Sequence, residues 1–171
     1  GHGNNASGIS AMALGTESIA SDTLGLAVGQ YALASGAQSK AMGSDVHATA
    51  NGSMALGHHV KATAEDAIII GKGYESAANP RSVSSENDVP HSFMVTFAQN
   101  ADDDPELFVT RDYSITSTPY FKSFVGVGTK TPQFNLDVNG TFGAKYMFLP
   151  NGNTGDIITS GASGEFQWTT P

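Results

Sequence analysis

A few residues in this chain of 171 have the types and spacing that chemistry requires. His58 and His59 offer imidazole nitrogens to a transition metal. Adjacent residues on a strand point to opposite faces, so the pair chelates one ion only if a turn bends the chain. Three copies of one histidine on a symmetry axis would be the other route to a metal. Asp102-Asp103-Asp104 supplies the oxygens a calcium ion takes, but the interleaved spacing and fixed glycine of a calcium loop are missing, which favours a solvated loop tip. Serine, histidine and aspartate are all present, so composition leaves a hydrolase triad open. No Gly-x-Ser-x-Gly elbow occurs, however, and that motif needs a strand-to-helix turn. Gly126-x-Gly128 lacks the third glycine and following helix of a nucleotide fingerprint. Glu65-Asp66 falls in the turn half of a repeat, and His47 and His91 read as loop or rim residues. Asn5-Ala6-Ser7, Asn51-Gly52-Ser53 and Asn139-Gly140-Thr141 match the glycosylation acceptor, but turn chemistry explains their positions. No catalytic, cofactor-binding or metal-binding residue is assigned on this reading, and no cofactor is expected.

The elements that would have to position these groups are set by a repeat. Glycines stand at Gly15, Gly29, Gly43, Gly57 and Gly71, a step of 14 each time. Two residues before them come Ala13, Ala27, Ala41, Ala55 and then Ile69, with Leu14, Val28, Met42, Leu56 and Ile70 between. Half a repeat away, Ala6, Ala20, Ala34, Ala48, Ala62 and then Ser76 keep the same step. Helical repeats need roughly 30 residues for two helices and a turn. The shorter period holds two short strands and two tight turns, one rung of a parallel β-roll with rungs about 4.8 Å apart. The repeated glycine is the expected corner, since it takes positive φ without a Cβ penalty.

Alternation within a rung sends Ser53 and Ala55 to one face and Met54 and Leu56 to the other. A small-residue face suits the interior of a narrow roll. Met12, Leu14, Leu26, Val28, Met54, Leu56, Ile68 and Ile70 are then left without a core in their own chain, a longer apolar stripe than soluble monomers carry. Copies of the same chain about a shared axis are the simplest cover. The alternative is a single-chain roll with some apolar surface. Lys40 interrupts the large column; it either snorkels to a rim or marks a hydrated rung.

The rungs Ile9-Ser10-Ala11-Met12-Ala13-Leu14-Gly15 and Gly52-Ser53-Met54-Ala55-Leu56-Gly57, with Tyr31-Ala32-Leu33-Ala34-Ser35-Gly36 between, resemble the YadA-like head repeats of trimeric autotransporter adhesins. Such repeats also occur in some phage tail fibres and other bacterial appendages. The resemblance covers the first half of the chain. It implies an all-β fold: a homotrimeric left-handed parallel β-roll followed by small intertwined β-hairpin modules.

Composition agrees with an all-β chain: 20 glycines, 14% charged residues, and no amphipathic helical window. With no cysteine, disulfides and thiolate metal sites are excluded. A net charge of −8 argues against nucleic acid and anionic lipid as unassisted partners. No apolar run approaches the roughly 20 residues that span a membrane. Gly1-His2-Gly3 reads as a cloning remnant or cut site, so the sequence is expected to be part of something longer.

The repeat occupies 1–78 on this reading, and the polar stretch 79–90, opened by Asn79-Pro80-Arg81, is a neck or linker. A β-rich fibre module spans 91–150, with strands at Ser92–Phe97 and Glu106–Thr110 joined as a long hairpin. Gly126, Gly128, Thr129, Pro132 and Leu136-Asp137-Val138-Asn139-Gly140 resemble a GIGT-x-x-P-x-x-x-LDVNG module of phage tail fibres and bacterial surface proteins, read as strand, turn, strand. Residues 151–171 read as a hairpin with a glycine-rich loop, similar to a recurring fibre segment that leads into a further module. Phe142, Tyr146, Phe148, Phe166 and Trp168 would form an interchain aromatic core or, alternatively, a sugar-stacking platform.

The resemblance implies a non-enzymatic homotrimer displayed outside a bacterial cell or on a virion or appendage, attaching to a cell or host surface through an unidentified glycan or protein. Three readings stay open: an adhesin head, a tail-fibre segment of a phage or contractile injection system, and a glycan-active enzyme with an intersubunit site.

Overall fold

The computed structural model describes residues 1–74, 85–100, 103–112, 122–143, 157–160 and 166–169, and among them every regular element is a β-strand. Strands β1 (Asn5–Ala6), β2 (Met12–Thr16), β3 (Ile19–Ala20) and β4 (Leu26–Gln30) open the chain. Then come β5 (Leu33–Ala34), β6 (Lys40–Ser44), β7 (His47–Ala48), β8 (Met54–His58), β9 (Val60–Ala62) and β10 (Ile68–Lys72). Long strands stack on long and short on short, all parallel, so the chain is a β-solenoid with two sheets per rung. The register is that of the repeat: Ala13 lies against Ala27, Ala27 against Ala41 and Ala41 against Ala55. In the second sheet Ala6, Ala20, Ala34, Ala48 and Ala62 stack likewise.

Two alanine columns face each other across the interior, and Ala20, Ala27, Ala34, Ala41, Ala48, Ala55 and Ala62 are fully buried. Methyl groups on both sides set the sheets closer than the roughly 10 Å of ordinary sheet packing. Ser18, Ala32, Val46 and Val60 fill the space by one corner, where the Ser18 hydroxyl donates to the Gly29 carbonyl at 2.8 Å.

The glycine column does take positive φ, from 122° to 136°, but it sits inside the long strands rather than at the corners. A Cβ on Gly43 would lie 1.8 Å from the Gly57 carbonyl oxygen, and Gly15, Gly29 and Gly57 meet the next rung in the same way. Glycine is required there because backbone stacks directly on backbone. Apart from Gly52 and Gly3, the corners are made by residues with side chains. Ser10, Leu24, Gln38 and Asp66 have φ between 52° and 60°, and Glu17, Tyr31, Asp45 and His59 have φ between 51° and 54°. At the first set the turn closes from the residue after the corner, as in Gly25 N to Asp22 O at 3.1 Å and Ser39 N to Gly36 O at 3.1 Å. Each costs about 1–2 kcal/mol of left-handed strain, which the rung-to-rung ladder offsets. Gly1-His2-Gly3, expected as a remnant, stands in phase with the repeat: His2 bridges Thr16 in parallel, and Gly3 takes φ 68° ahead of Glu17 in the corner column.

Stacking also runs past the boundary expected at residue 78. Strand β11 (Ser85–Asn87), inside the stretch read as a neck, pairs in parallel with β9, and β12 (Phe93–Phe97) pairs in parallel with β10. Phe93 stands over Ile68, 25 residues on, so this rung is longer than the others yet keeps their register. Ser76, expected to continue the alanine column, lies outside the described residues; Asn87 takes the place over Ala62. Asn87 is fully buried, donates through Nδ2 to Ile68 O at 2.9 Å and accepts from Ser92 Oγ at 2.9 Å. Interior side chains lengthen here, from Ala55 to Ile69, Met94 and Phe108, and close the end of the roll. Thr96 follows Gly71 in the glycine column because β13 (Leu107–Asp112) pairs with β12 only as far as Val95, so no carbonyl crowds its Cβ.

Strands β12 and β13 form the expected antiparallel hairpin, and β14 (Lys122–Val127) returns antiparallel to β13. Strand β15 (Leu136–Val138) then pairs with β14 in parallel, so the Gly126–Gly140 segment is a crossover loop and not a hairpin. Its polar residues hold that loop: Asp137 Oδ2 accepts from Gln133 N at 2.8 Å, and Asn139 Nδ2 donates to Gly128 O at 3.0 Å. The chain divides into a unit of residues 1–141 and a second of 142–171, not at the boundaries read from the sequence. In the second, β16 (Ile157–Ser160) and β17 (Phe166–Thr169) form the expected antiparallel hairpin. Of the aromatic set, Phe142 and Trp168 are exposed, Tyr146 and Phe148 lie outside the described residues, and the Phe166 side chain does too.

Charge pairs tie the last rung down. Glu86 accepts from Thr63 Oγ1 at 2.6 Å and from Lys61 Nζ at 3.1 Å, while Lys130 Nζ reaches Asp88 Oδ1 at 2.5 Å and Glu86 O at 2.9 Å. The Thr63 hydroxyl and then Lys61 hold the Glu86 carboxyl below its ordinary value near 4.5, and Lys130 holds Asp88 below its ordinary 3.8.

Two outcomes are expected. Gly43→Ala removes the cooperative β-sheet transition in circular dichroism, because two backbones cannot move apart in one rung alone; Leu24→Gly leaves it intact and raises stability by up to about 1 kcal/mol by relieving left-handed strain. Carboxyls held low in the folded chain contribute stability that is present above their ordinary pKa values and lost as the pH falls through the folded ones. The denaturant midpoint should therefore hold from about pH 7 to about pH 5 and drop below about pH 4.5, and Glu86→Gln with Asp88→Asn should flatten that drop.

Candidate interaction surface

The outward side of the nine-stranded sheet gathers what the interior has no room for. One column runs Met12, Leu26, Lys40, Met54, Ile68, Phe93, Val109, Val125, Leu136, each against the next across the sheet. Beside it, Leu14, Val28, Met42, Leu56, Ile70, Val95 and Leu107 form a second column, which Val127 and Val138 continue. Apart from Lys40 every position is apolar. Met12 and Leu14 are 52% exposed, Leu136 is 54% exposed and Leu56 is 38% exposed; the remainder are mostly half-buried by their neighbours. At one rung per roughly 4.8 Å, the face is about 38 Å long.

Lys40 is the one charge in these two columns. It lies between Leu26 and Met54, and its ammonium turns along the start of β6 to the Gln38 carbonyl at 3.2 Å. Among the described residues it makes no ion pair. At one edge of the face an open groove of about 330 Å³ lies between the Asp66–His91 pair, 3.3 Å apart, and Ile68, Phe93 and Val109.

The residues singled out for chemistry are dispersed. His59 follows β8 at a corner and is buried, and the bend brings its ring edge-on to His58 at 4.0 Å rather than sending the two apart. His47 is on strand β7, not in a loop; burial and then Lys61 lower its pKa, which favours the neutral ring. His91 occupies an exposed corner. Asp103 accepts from the backbone of Gln99 at 2.7 Å and Asn100 at 2.8 Å, so it shapes its own loop, and those bonds hold its carboxyl below the usual range. Asp104 accepts from Lys130 N at 3.4 Å, and Asp102 lies outside the described residues. Among the described residues no three histidines or carboxylates gather as a metal site. None of the described strands is followed by a helix, which a Gly126-x-Gly128 phosphate loop would need.

Sequence reading found the first five rungs of the apolar face and missed its continuation. The signal was present. Phe93-x-Val95, Leu107-x-Val109, Val125-x-Val127 and Leu136-x-Val138 all repeat the large-x-large pair of the rungs, without the fixed step.

No curated protein and no solved structure matches the chain. The family of the YadA head domain repeat matches it twice, over residues 6–32 and 34–59, and strands β2 to β4 and β6 to β8 fall within those spans. Residues 6–32 and 34–59 of this β-solenoid match the YadA head domain repeat, and the parallel stacking there supports a YadA-like head repeat.

Proposed function

We propose that this chain is a segment of a homotrimeric surface fibre of the adhesin type, non-enzymatic, displayed outside the cell and serving attachment to a cell or host surface. The observation that carries the reading is the apolar face itself. A stripe two side chains wide and nine strands long is more than a soluble monomer leaves in water. Three identical stripes turned toward one axis bury one another, and symmetric closure leaves none over. The resulting rod is stiff because every rung is bonded to the next. Its outward turns, repeated three times, would contact a surface weakly one by one and firmly together through effective concentration. The surface ligand, glycan or protein, is recognised by residues of those turns. A second reading, a tail-fibre segment of a phage or injection system, is favoured by the likeness of Gly126–Gly140 to tail-fibre modules.

Light scattering of the purified chain is expected to give three times its mass of 17.7 kDa. Leu14→Asp with Leu56→Asp should lower the mass to that of one chain or cause loss of soluble protein, since each substitution places a carboxylate in a dry interface. A stable, soluble single-chain species of the unaltered sequence would count against the proposal. Attachment is checked by counting cells captured on immobilised trimer. Cleavage of polysaccharide by the same preparation would favour an intersubunit enzyme instead.

A further inference from the structure

We propose that Lys40 is the residue that fixes the axial register between copies of this chain, an inference that rests on the trimeric reading above. The repeat that builds the roll also creates an ambiguity. Within β2 to β10 the positions of the two outward columns other than Lys40 are all apolar, and neighbouring rungs are related by one identical step. A neighbouring chain displaced by one rung, about 4.8 Å, would meet almost the same surface. Apolar contact alone therefore discriminates poorly between aligned and slipped assemblies.

Lys40 breaks that degeneracy. Its rung carries Gln38 at one corner and Ser44 and Asp45 at the other, with the Ser44 hydroxyl donating to Asp45 Oδ2 at 3.2 Å. Aligned chains bring three such bands to one level, where the ammonium keeps the Gln38 carbonyl and polar neighbours. A slip of one rung sets the ammonium against the Leu24–Leu26 level or the Met54 level of the next chain. There the ammonium keeps only the Gln38 carbonyl of its own chain and faces no polar group of its neighbour at that level, which is disfavoured. A single polar residue in an apolar seam is an established way to specify register, at some cost in stability. That accounts for a lysine where the repeat otherwise places leucine, methionine or isoleucine.

The methionines report on this directly. Of the 5 in the chain, Met12, Met42 and Met54 lie on the face, and Met94 is interior. In an aligned three-fold assembly each methionine methyl gives one NMR resonance. Lys40→Leu and Lys40→Ile, either of which serves if the other fails to fold, are expected to raise the melting temperature. They should also split the Met12, Met42 and Met54 methyl resonances while Met94 stays single. Lys40→Arg should restore single resonances. An apolar variant that forms a trimer of one mass with single face resonances overturns the assignment. Light scattering of the unaltered chain is read separately: a single-chain mass there defeats the trimeric reading, whereas a trimer whose Lys40 variants stay uniform defeats only this one.

Discussion

The narrowness of the interior governs this structure. Two alanine columns face each other across the roll, and backbone touches backbone along the glycine column, so between the two sheets from β1 to β9 the facing columns have room only for methyl groups. A globular domain hides its large side chains in its own centre. Here the centre is too thin, and the same alternation that fills it with alanine sends Met, Leu, Val and Ile outward. Stability within one chain then comes chiefly from rung-to-rung hydrogen bonds. The hydrophobic contribution, at roughly 25 cal/mol per Å² of apolar surface buried, is small within one chain because the large apolar side chains lie outside the roll.

Much of this was legible in the sequence because a solenoid writes its register in a fixed step. The alanine columns, the strand order of the first five rungs and the outward apolar stripe follow from spacing and alternation. What was not legible has identifiable causes. Leu24, Tyr31 and Asp45 carry no propensity for positive φ strong enough to mark them as corners; they are held there by the ladder on either side, and the glycines that looked like corners serve a steric purpose instead. The long sixth rung hides because its extra residues break the step while hydrogen bonding restores the register at Ser85 and Phe93. The parallel pairing of β14 and β15 was missed because a short glycine-bearing connection reads as a hairpin, whereas side-chain bonds from Asn139 and Asp137 hold it as a crossover.

The residues with catalytic or ligand-binding types resolve mainly into architecture. Asp103 folds a loop, Asn87 plugs the end of the interior, Glu86 and Asp88 anchor the last rung, and Asp66 and His91 pair at adjacent corners. Repeat proteins of this kind place polar groups at corners and ends because the flat sides are committed to stacking or to association. A surface that recognises something else has to be assembled from those corners.

The longer rung between β10 and β12 has a practical consequence. A stack that absorbs 25 residues where 14 would do, without losing a single step of its ladder, separates what it displays from what holds it up. Variation in chain length at that step would leave the strands on either side with the same partners.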